Sequence, residues 1–316
     1  MISMRPFHAF ASSFLLVTSA FAHPSSGIVV DEEGHVFFSD TVHGLWKIDT
    51  KGLLTSIHQE GGHWLALDAK GKFSRMEFEK SEHWPRWFKR KTPAGAVPAL
   101  ITDGGSPLVV HRDGSLYYVS NDERMVPGGL EIARLSPEGK LTRLAPKLRE
   151  LTDKLGGIKG LASGPDDSLY AACPGAILKI KLDGTFSTLL DPVVVKDCDK
   201  DPPPDTPEAQ QPYLRGLDVD SHGTVYAAAT GCRCVLKIMA GREVKTVLKA
   251  EPPWSPTGVA VRGKEVYVLE FTNPNSAAHE EWMPRVRVLG GDGKVKTLAT
   301  MSGKAPESQK AKPNHN

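Results

Sequence analysis

The chain has 316 residues, 40% of them hydrophobic and 24% charged, and its 39 Lys and Arg against 37 Asp and Glu leave a formal net charge of +2. This length and composition predict a single globular domain, because closed β architectures routinely exceed the usual domain size. The nearly balanced charge excludes a protein built around a basic surface for nucleic acid or another polyanion.

The N-terminus predicts an export signal over residues 1–22. Arg5 precedes an apolar stretch from Phe10 to Phe21, and Ala20-Phe21-Ala22 is the small-x-small pattern after which signal peptidases cleave. We therefore expect the mature chain to begin at His23 and to be secreted or periplasmic. The stretch is too short for a stable membrane span, and no second apolar segment follows. An uncleaved anchor is the alternative.

Residues 27–57 contain four short predicted strands. An apolar run, Gly27–Asp31, and a turn precede the second strand, His35–Asp40; the third strand is Leu45–Asp49 and the fourth is Leu53–Ile57. Their β-branched and aromatic residues favour strands, and glycines between them supply the positive φ of hairpin turns.

The same four-strand pattern recurs along the chain. The turn after the first strand returns at Lys70-Gly71, Asp113-Gly114, Asp166-Asp167, His222-Gly223 and Arg262-Gly263. The second strand returns at 115–119, 168–172, 224–228 and 265–269, with a divergent copy at Lys72–Phe78. Six copies predict an all-β, six-bladed β-propeller with four antiparallel strands per blade over residues 23–302. A β-sandwich is the alternative, but sandwiches do not repeat one four-strand pattern six times.

The two ends of the chain make separate predictions. Residues 23–26 are too few to complete the last blade, so we expect blades one and six each to hold all their own strands and to pack together. Residues 303–316 are polar, with Lys, Pro and Ser, and predict a disordered tail. We expect the propeller to be a monomer.

The long insertions are predicted on one face. They fall between second and third strands or in the crossovers between blades, at 79–85, 121–129, 146–157, 191–212 and 271–284. Both kinds of connection emerge opposite the tight turns between first and second strands. Because loops carry function on rigid β scaffolds, this loop-rich face is the predicted functional face.

Histidines, carboxylates and tryptophans are concentrated on the loop-rich face in blades six, one and two. The set comprises Asp40, His43, His63, Trp64, Glu82, His83, Trp84, Trp254, Glu270, His279, Glu280, Glu281 and Trp282. One hypothesis is a divalent metal, zinc or calcium, that activates water, held by His43, His63, His279 and Glu270. Another is an aromatic platform of indoles for a sugar or other planar ligand. The third is that the tryptophans fill gaps between blades and the histidines face solvent, because no fixed-spacing motif such as His-Glu-x-x-His is present.

All four cysteines fall in the fourth and fifth repeats. They are Cys173, Cys198, Cys232 and Cys234, and in an exported chain they favour disulfides, with three possible pairings, over a metal site. Propeller geometry brings them to the loop-rich face. We expect Cys198 to pair with Cys173 or with one of Cys232 and Cys234, since a bond within the last pair would be strained.

A basic and aromatic stretch, Arg86–Lys91, predicts the third strand of blade two with a solvated face rather than a polyanion site. The sequence holds no Gly-rich phosphate loop, no Gly-x-Ser-x-Gly turn and no Cys-x-x-Cys-His haem motif. Serine-hydrolase chemistry is therefore disfavoured.

The segments Gly27–Asp40 and Arg215–Tyr226 resemble NHL repeats and the blades of the senescence-marker-protein/gluconolactonase family. The resemblance covers nearly all of the mature chain and implies a six-bladed propeller. For the lactonase branch it implies calcium or another divalent ion at the axis, held by Glu, Asn and Asp side chains that enter the innermost strands. Similar propellers include amidating lyases, which use a His-ligated zinc, and NHL proteins that act as interaction surfaces.

The positions that this resemblance assigns to the axial ion carry other residues here. They are Ser26, His63, Ser106, Lys159, Arg215 and Thr257, of which none is a carboxylate and two are cationic. Hard cations require anionic oxygens, so a calcium site of the family type is disfavoured. Lys159 and Arg215 with His63 could instead receive a carboxylate or phosphate, or pair with acidic residues of neighbouring loops.

The sequence therefore predicts a binding module for a small molecule, glycan or protein on the loop-rich face. The predicted binding residues are Asp40, His63, Trp64, Lys159, Arg215, Trp254 and Trp282. The alternative is a metal-dependent, lactonase-like hydrolase or lyase with a histidine and carboxylate site on the same face.

Overall fold

The computed structural model describes residues 24–77, 88–120, 131–196, 198, 212–239, 241–272 and 282–301. Over these residues the chain forms six antiparallel sheets, which are the blades of a propeller. The predicted export signal and polar tail lie outside the described residues.

Each blade is one sheet, with strands numbered along the chain. Blade one contains β1 (Ile28–Val30), β2 (Val36–Asp40), β3 (Gly44–Ile48) and β4 (Leu54–His58); blade two contains β5 (Trp64–Asp68), β6 (Lys89–Arg90) and β7 (Ala99–Asp103). Blade three contains β8 (Leu108–Val110), β9 (Leu116–Ser120), β10 (Glu131–Leu135) and β11 (Leu141–Arg143); blade four contains β12 (Gly160–Ser163), β13 (Ser168–Cys173), β14 (Ala176–Lys181) and β15 (Phe186–Leu190). Blade five contains β16 (Leu214–Val219), β17 (Val225–Ala229), β18 (Cys234–Ile238) and β19 (Val244–Lys249); blade six contains β20 (Trp254–Arg262), β21 (Glu265–Thr272), β22 (Pro284–Leu289) and β23 (Val295–Thr300).

The first strand of each blade lines the central channel. β1, β5, β8, β12, β16 and β20 contact one another in that order, and β20 contacts β1, so the ring is closed. Blades one and six each hold four strands of their own in chain order, which confirms the predicted closure. The propeller prediction is confirmed and the β-sandwich is excluded.

Blade two departs from the predicted order. The predicted second strand, Lys72–Phe78, begins in a turn, because an Asp68 carboxylate oxygen accepts the Phe73 amide at 2.6 Å and folds the chain back. The strand beside β5 is instead β7, with β6 on its other side. The long connection therefore leaves the turn end of β5, and the prediction of a tight first turn is wrong for this blade. Three strands are described here instead of four.

Two crossovers on the loop-rich face are visible in part. A single turn of 3-10 helix and α1 (Arg149–Lys154) lie between β11 and β12. The crossover before β16 is held against the β13–β14 turn, since the Val193 and Leu214 amides donate to the Gly175 and Pro174 carbonyls at 2.8 and 2.9 Å.

No helix among the described residues is both long and apolar enough to cross a membrane.

The hydrophobic core lies between the blades. At the junction of blades six and one it contains Phe38, Trp46, Leu269, Phe271 and Trp282, all buried. Because each blade is covered on both faces, its second strand is buried along its length rather than alternately buried and exposed. These junctions hold the strand ends that position the loop-rich face.

Candidate functional site

The channel mouth on the loop-rich face is covered by Pro24–Ser26. The Thr257 hydroxyl donates to the Ser25 carbonyl at 2.7 Å, and the Arg215 guanidinium donates to the Pro24 carbonyl. On the opposite side of the mouth, the Ser26 amide and the Ser25 hydroxyl donate to the His63 carbonyl at 2.8 and 3.0 Å. Blades two, five and six therefore bind the same short segment.

The residues at the mouth do not fit an axial divalent ion. Ser26, Arg215 and Thr257 are buried, and the hydroxyl of Thr257 and the guanidinium of Arg215 bond to the chain's own backbone. Lys159 lies half-buried at the start of β12. A site with two cationic side chains and no carboxylate offers calcium none of the anionic oxygens that it requires.

Asp40 and His43 form a hydrogen-bonded pair at the end of β2. The Asp40 side chain is fully buried, and its Oδ2 lies 2.6 Å from Nδ1 of His43, whose side chain is 17% exposed. Oδ1 accepts the Val42 amide at 2.9 Å. The hydrogen bond with Asp40 raises the pKa of His43, although burial opposes the shift. The imidazole is therefore oriented by a carboxylate while part of its ring reaches solvent.

Asp103 occupies the corresponding strand end in blade two. Its Oδ1 accepts the amides of Gly105 at 2.6 Å and Ser106 at 3.0 Å, and burial raises the pKa of its carboxyl group to about 6. Sequence reasoning missed Asp103 because it placed the second strand of blade two at 72–78.

A two-glycine crossover separates these two strand ends. Ser39 at the end of β2 accepts the Gly62 amide at 2.7 Å. A Cβ atom on Gly61 would lie 2.0 Å from the Asp40 carbonyl oxygen, and one on Gly62 would lie 2.9 Å from that of Asp103. The crossover thus runs in backbone contact with both aspartates. We call Asp40, His43, the Gly61–His63 crossover and Asp103 the blade 1–2 sector.

Glu270 in blade six is part of a buried ion-pair network. Its fully buried carboxylate pairs with Arg285 at 2.6 Å and with Arg287. Arg285 also pairs with the exposed Glu251 at 2.8 Å and lies 4.2 Å from the ring centre of Trp254. The two arginines neutralise this carboxylate, which disfavours the tentative assignment of Glu270 as a metal ligand.

The tryptophans of the predicted aromatic platform are mostly core residues. Trp282 is fully buried and Trp64 is 9% exposed, in the cluster that also contains Phe73 and Phe88. Trp282 has no ring face exposed to a ligand, and Trp64 contributes to the wall of the central channel. Trp254 alone of the three is half-buried, and one side of its ring is covered by Arg285. The gap-filling interpretation is correct for Trp64 and Trp282.

Within the described part of the chain, one group of three side chains has metal-ligand spacing. Asp31, Glu33 and His35 place their ligand atoms within 4.8 Å of one another on the turn face, opposite the loop-rich face. His43, His63 and Glu270 form no such group. His279, together with Glu82, His83, Trp84, Glu280 and Glu281, lies outside the described residues.

The cysteines form one disulfide between the crossover and blade five. Cys198 is bonded to Cys232, one of the partners predicted for it. Cys173 and Cys234 are buried and take no part in this disulfide, and burial raises the pKa of the Cys173 thiol to about 12. The thiol is therefore unreactive at neutral pH, and the cysteines act as a staple for the crossover.

No protein-family model matches the chain, and no curated protein matches its sequence. Solved structures do match. A gluconolactonase from Xanthomonas campestris is 17% identical over 80% of this chain and 84% of its own, with a TM-score of 0.51. A luciferin-regenerating enzyme is 16% identical over 89% of this chain and 95% of its own, with a TM-score of 0.50.

A catalytically inactive virginiamycin B lyase from Staphylococcus aureus, solved with quinupristin, is 14% identical over 88% of this chain and 85% of its own, with a TM-score of 0.50. The structural neighbours are thus six-bladed propellers of the gluconolactonase and streptogramin B lyase kinds. Identities this low establish a shared fold, and fold alone does not carry an activity.

Proposed function

We propose that the protein is an exported binding module that takes its ligand on the loop-rich face, in the blade 1–2 sector. The observation that carries this proposal is the covered channel mouth. Pro24–Ser26 occupy the axis where similar propellers hold an ion, and Arg215 and Thr257 bond to that segment. A ligand must therefore bind beside the axis, on the loops.

The blade 1–2 sector has the polar groups that such a ligand requires. His43 is held in one orientation by a buried carboxylate, and its second ring nitrogen has no hydrogen-bond partner among the described residues. Buried polar groups with fixed orientations give a binding site its specificity. The ligand class that fits is a hydrogen-bonding small molecule or glycan, or a polar loop of a protein.

A glycan array and a panel of lactones, probed with three forms of the protein, test this proposal. Wild type and His43→Ala are compared with His35→Ala, a matched control in the same blade. His35 lies 2.8 Å from Asp31 with a side chain 18% exposed, but on the turn face. We expect a ligand held equally by wild type and His35→Ala and at least tenfold more weakly by His43→Ala. The proposal is contradicted if wild type binds none of these compounds, or if both variants lose binding affinity to the same extent.

The second candidate is an enzyme of the hydrolase or lyase class in the same sector. The observation that favours it is the Asp40–His43 pair beside Asp103, because an imidazole oriented by a carboxylate suits a general base. A metal-dependent form would require His43 or His63 with His279.

Lactone turnover lost in His43→Ala and kept in His35→Ala supports the enzyme. Elemental analysis after dialysis, on wild type and on a His63→Ala/His279→Ala variant, tests the metal.

A further inference from the structure

The turns between first and second strands stand at equivalent positions, which allows the blade junctions on the turn face to be compared. Val30 pairs with Val36, Val110 with Leu116, Ser163 with Leu169 and Val219 with Val225. In each pair the first-named residue belongs to the first strand of its blade. The residues two positions after it are Glu32, Arg112, Pro165 and Ser221. These four are the equivalent first residues of their turns.

An arginine closes two of these junctions. Arg112 of blade three donates to the Pro165 carbonyl of blade four at 2.6 Å, and its Nε donates to the Asp167 carboxylate. Arg262 of blade six donates to the Glu32 carbonyl of blade one at 2.8 Å. In both cases the acceptor is the carbonyl oxygen of the first turn residue in the next blade. This carbonyl is therefore a repeated acceptor for a guanidinium.

In blade one a glycine leaves room for the guanidinium, whereas the equivalent residue in blade four is Asp167. A Cβ atom on Gly34 would lie 3.4 Å from Nη1 of Arg262, so the guanidinium packs directly over this glycine. The equivalent position in blade five is Gly223, two residues after Ser221 as Gly34 is two after Glu32. Blade five thus has both the acceptor and the open glycine of blade one.

The junction of blades four and five lacks the arginine. Blade four has Gly164 and Pro165 at the positions of Arg262 and Arg112, and neither side chain can donate a hydrogen bond. A cavity of about 380 Å³ opens there. Its walls include Pro165, Tyr170, Lys179, Leu189, Ser221 and Met239.

We propose that this cavity, the blade 4–5 cleft, binds a guanidinium group, such as an arginine side chain presented by a peptide or partner. The Ser221 carbonyl accepts its N–H groups, as the Glu32 carbonyl does for Arg262, and Gly223 leaves room for its plane. Leu189 and Met239 cover the methylenes of the stem, which long cationic side chains bury readily. Lys179 is paired with Asp166, so the wall stays close to neutral.

Titration of the ¹⁵N-labelled protein with N-acetyl-arginine amide tests the proposal. We expect saturable shifts of the His222 and Gly223 amide signals, and at least tenfold weaker binding of the citrulline analogue, which has the same shape without the charge. The variant Pro165→Arg supplies the missing arginine from the chain itself and should abolish these shifts. Equal binding of both probes, or full binding by folded Pro165→Arg, overturns the proposal.

A reciprocal variant keeps the proposal falsifiable if Pro165→Arg does not fold. Arg112→Ala vacates the equivalent position between blades three and four, where the Pro165 carbonyl becomes available. It is made together with Asp167→Asn, because the Asp167 carboxylate also binds Arg112 and would attract the probe by itself. We expect the arginine probe to bind this double variant at a second site, reported by the amides of residues 166 and 167. A variant that gains no second set of shifts contradicts the assignment of the turn carbonyl as a guanidinium acceptor.

Discussion

The carboxylates at the ends of second strands on the loop-rich face are of two kinds. In blades six and one, Glu270 and Asp40 face cationic or protonatable partners, arginines in one case and His43 in the other. In blade two, Asp103 accepts only backbone amides, and burial raises its pKa to about 6. The carboxylates at similar strand ends are thus paired with side chains in blades six and one, but bond only to backbone amides in blade two.

This difference separates buried carboxylates that are paired with a cation from those that titrate near neutral pH. A buried carboxylate that is paired with a cation holds blades together, because removing either partner leaves a buried charge. A buried carboxylate without a cation changes its protonation state near neutral pH, and such groups cluster at functional sites. The comparison therefore separates the ion-pair network around Glu270 in blade six from Asp103 in blade two, whose carboxylate bonds only to backbone amides.

The largest expected effect comes from removing the paired charge in blade six. Glu270→Gln keeps the volume of the side chain but leaves Arg285 and Arg287 without their buried counter-charge. We expect the free energy of unfolding to fall by about 3–5 kcal/mol. Urea unfolding followed by circular dichroism measures the change.

Glu251→Gln is the matched control, because Glu251 pairs with the same Arg285 but its side chain is 62% exposed. Its cost should stay within about 1 kcal/mol. Equal costs for the two variants would mean that burial does not distinguish the two glutamates, and the structural assignment of Glu270 would then fail.

A smaller loss is expected in blade one. Asp40→Asn can still accept the Val42 amide but loses the charged hydrogen bond to His43, which should cost about 1–3 kcal/mol. Asp40 raises the pKa of His43, so the stabilisation is present below the unfolded pKa of about 6.5 and is lost as pH rises through the folded value. The cost should therefore be larger at pH 5.5 than at pH 8.5.

Two measurements check this prediction. Unfolding at both pH values gives the energy, and NMR titration of His43 should show its pKa falling in Asp40→Asn. Asp31→Asn is the control on the turn face, where the Asp31 side chain is 9% exposed and His35 also lies 3.3 Å from a second carboxylate, that of Glu33. If the pKa of His43 does not change in Asp40→Asn, then Asp40 does not hold the imidazole, and the blade 1–2 sector contains no oriented histidine.

Much of the fold was predictable because propeller blades repeat. Each copy of the pattern supports the others, so the strand order of five blades and the ring closure follow from the sequence. Blade two was mispredicted because a polar turn at 72–75 stands where the second strand was expected. The true strand end, Thr102-Asp103 before two glycines, resembles Ser39-Asp40 of blade one, and this similarity was the available signal.

The candidate site was less predictable, because residue type does not report burial or pairing. Glu270 and Trp282 are residue types that often occur in functional sites. In this fold Glu270 is paired with two arginines, and Trp282 is packed in the core between blades six and one. The cover over the channel depends on bonds from Arg215 and Thr257 to residues about 190 and 230 positions away, at 24 and 25. No local pattern encodes a contact between positions so far apart.

The smallest expected effect has the opposite sign and lies in blade two. Asp103→Asn keeps one oxygen for the Gly105 and Ser106 amides, both of which bond to the same Oδ1 atom, and it removes the buried charge. We expect this variant to be more stable than wild type at pH 7, by about 1–2 kcal/mol. Thermal unfolding as a function of pH measures the difference.

The pH dependence distinguishes this explanation from a simple packing change. The folded pKa of Asp103, about 6, lies above its unfolded value, so its protonated form stabilises the native state below pH 4 and this contribution is lost as pH rises through 6. The gain in Asp103→Asn should therefore vanish near pH 4 and reach its full size above pH 7. A gain that is independent of pH, or a loss at pH 7 as in Asp40→Asn, would show that Asp103 has a partner equivalent to His43 and that blades one and two do not differ.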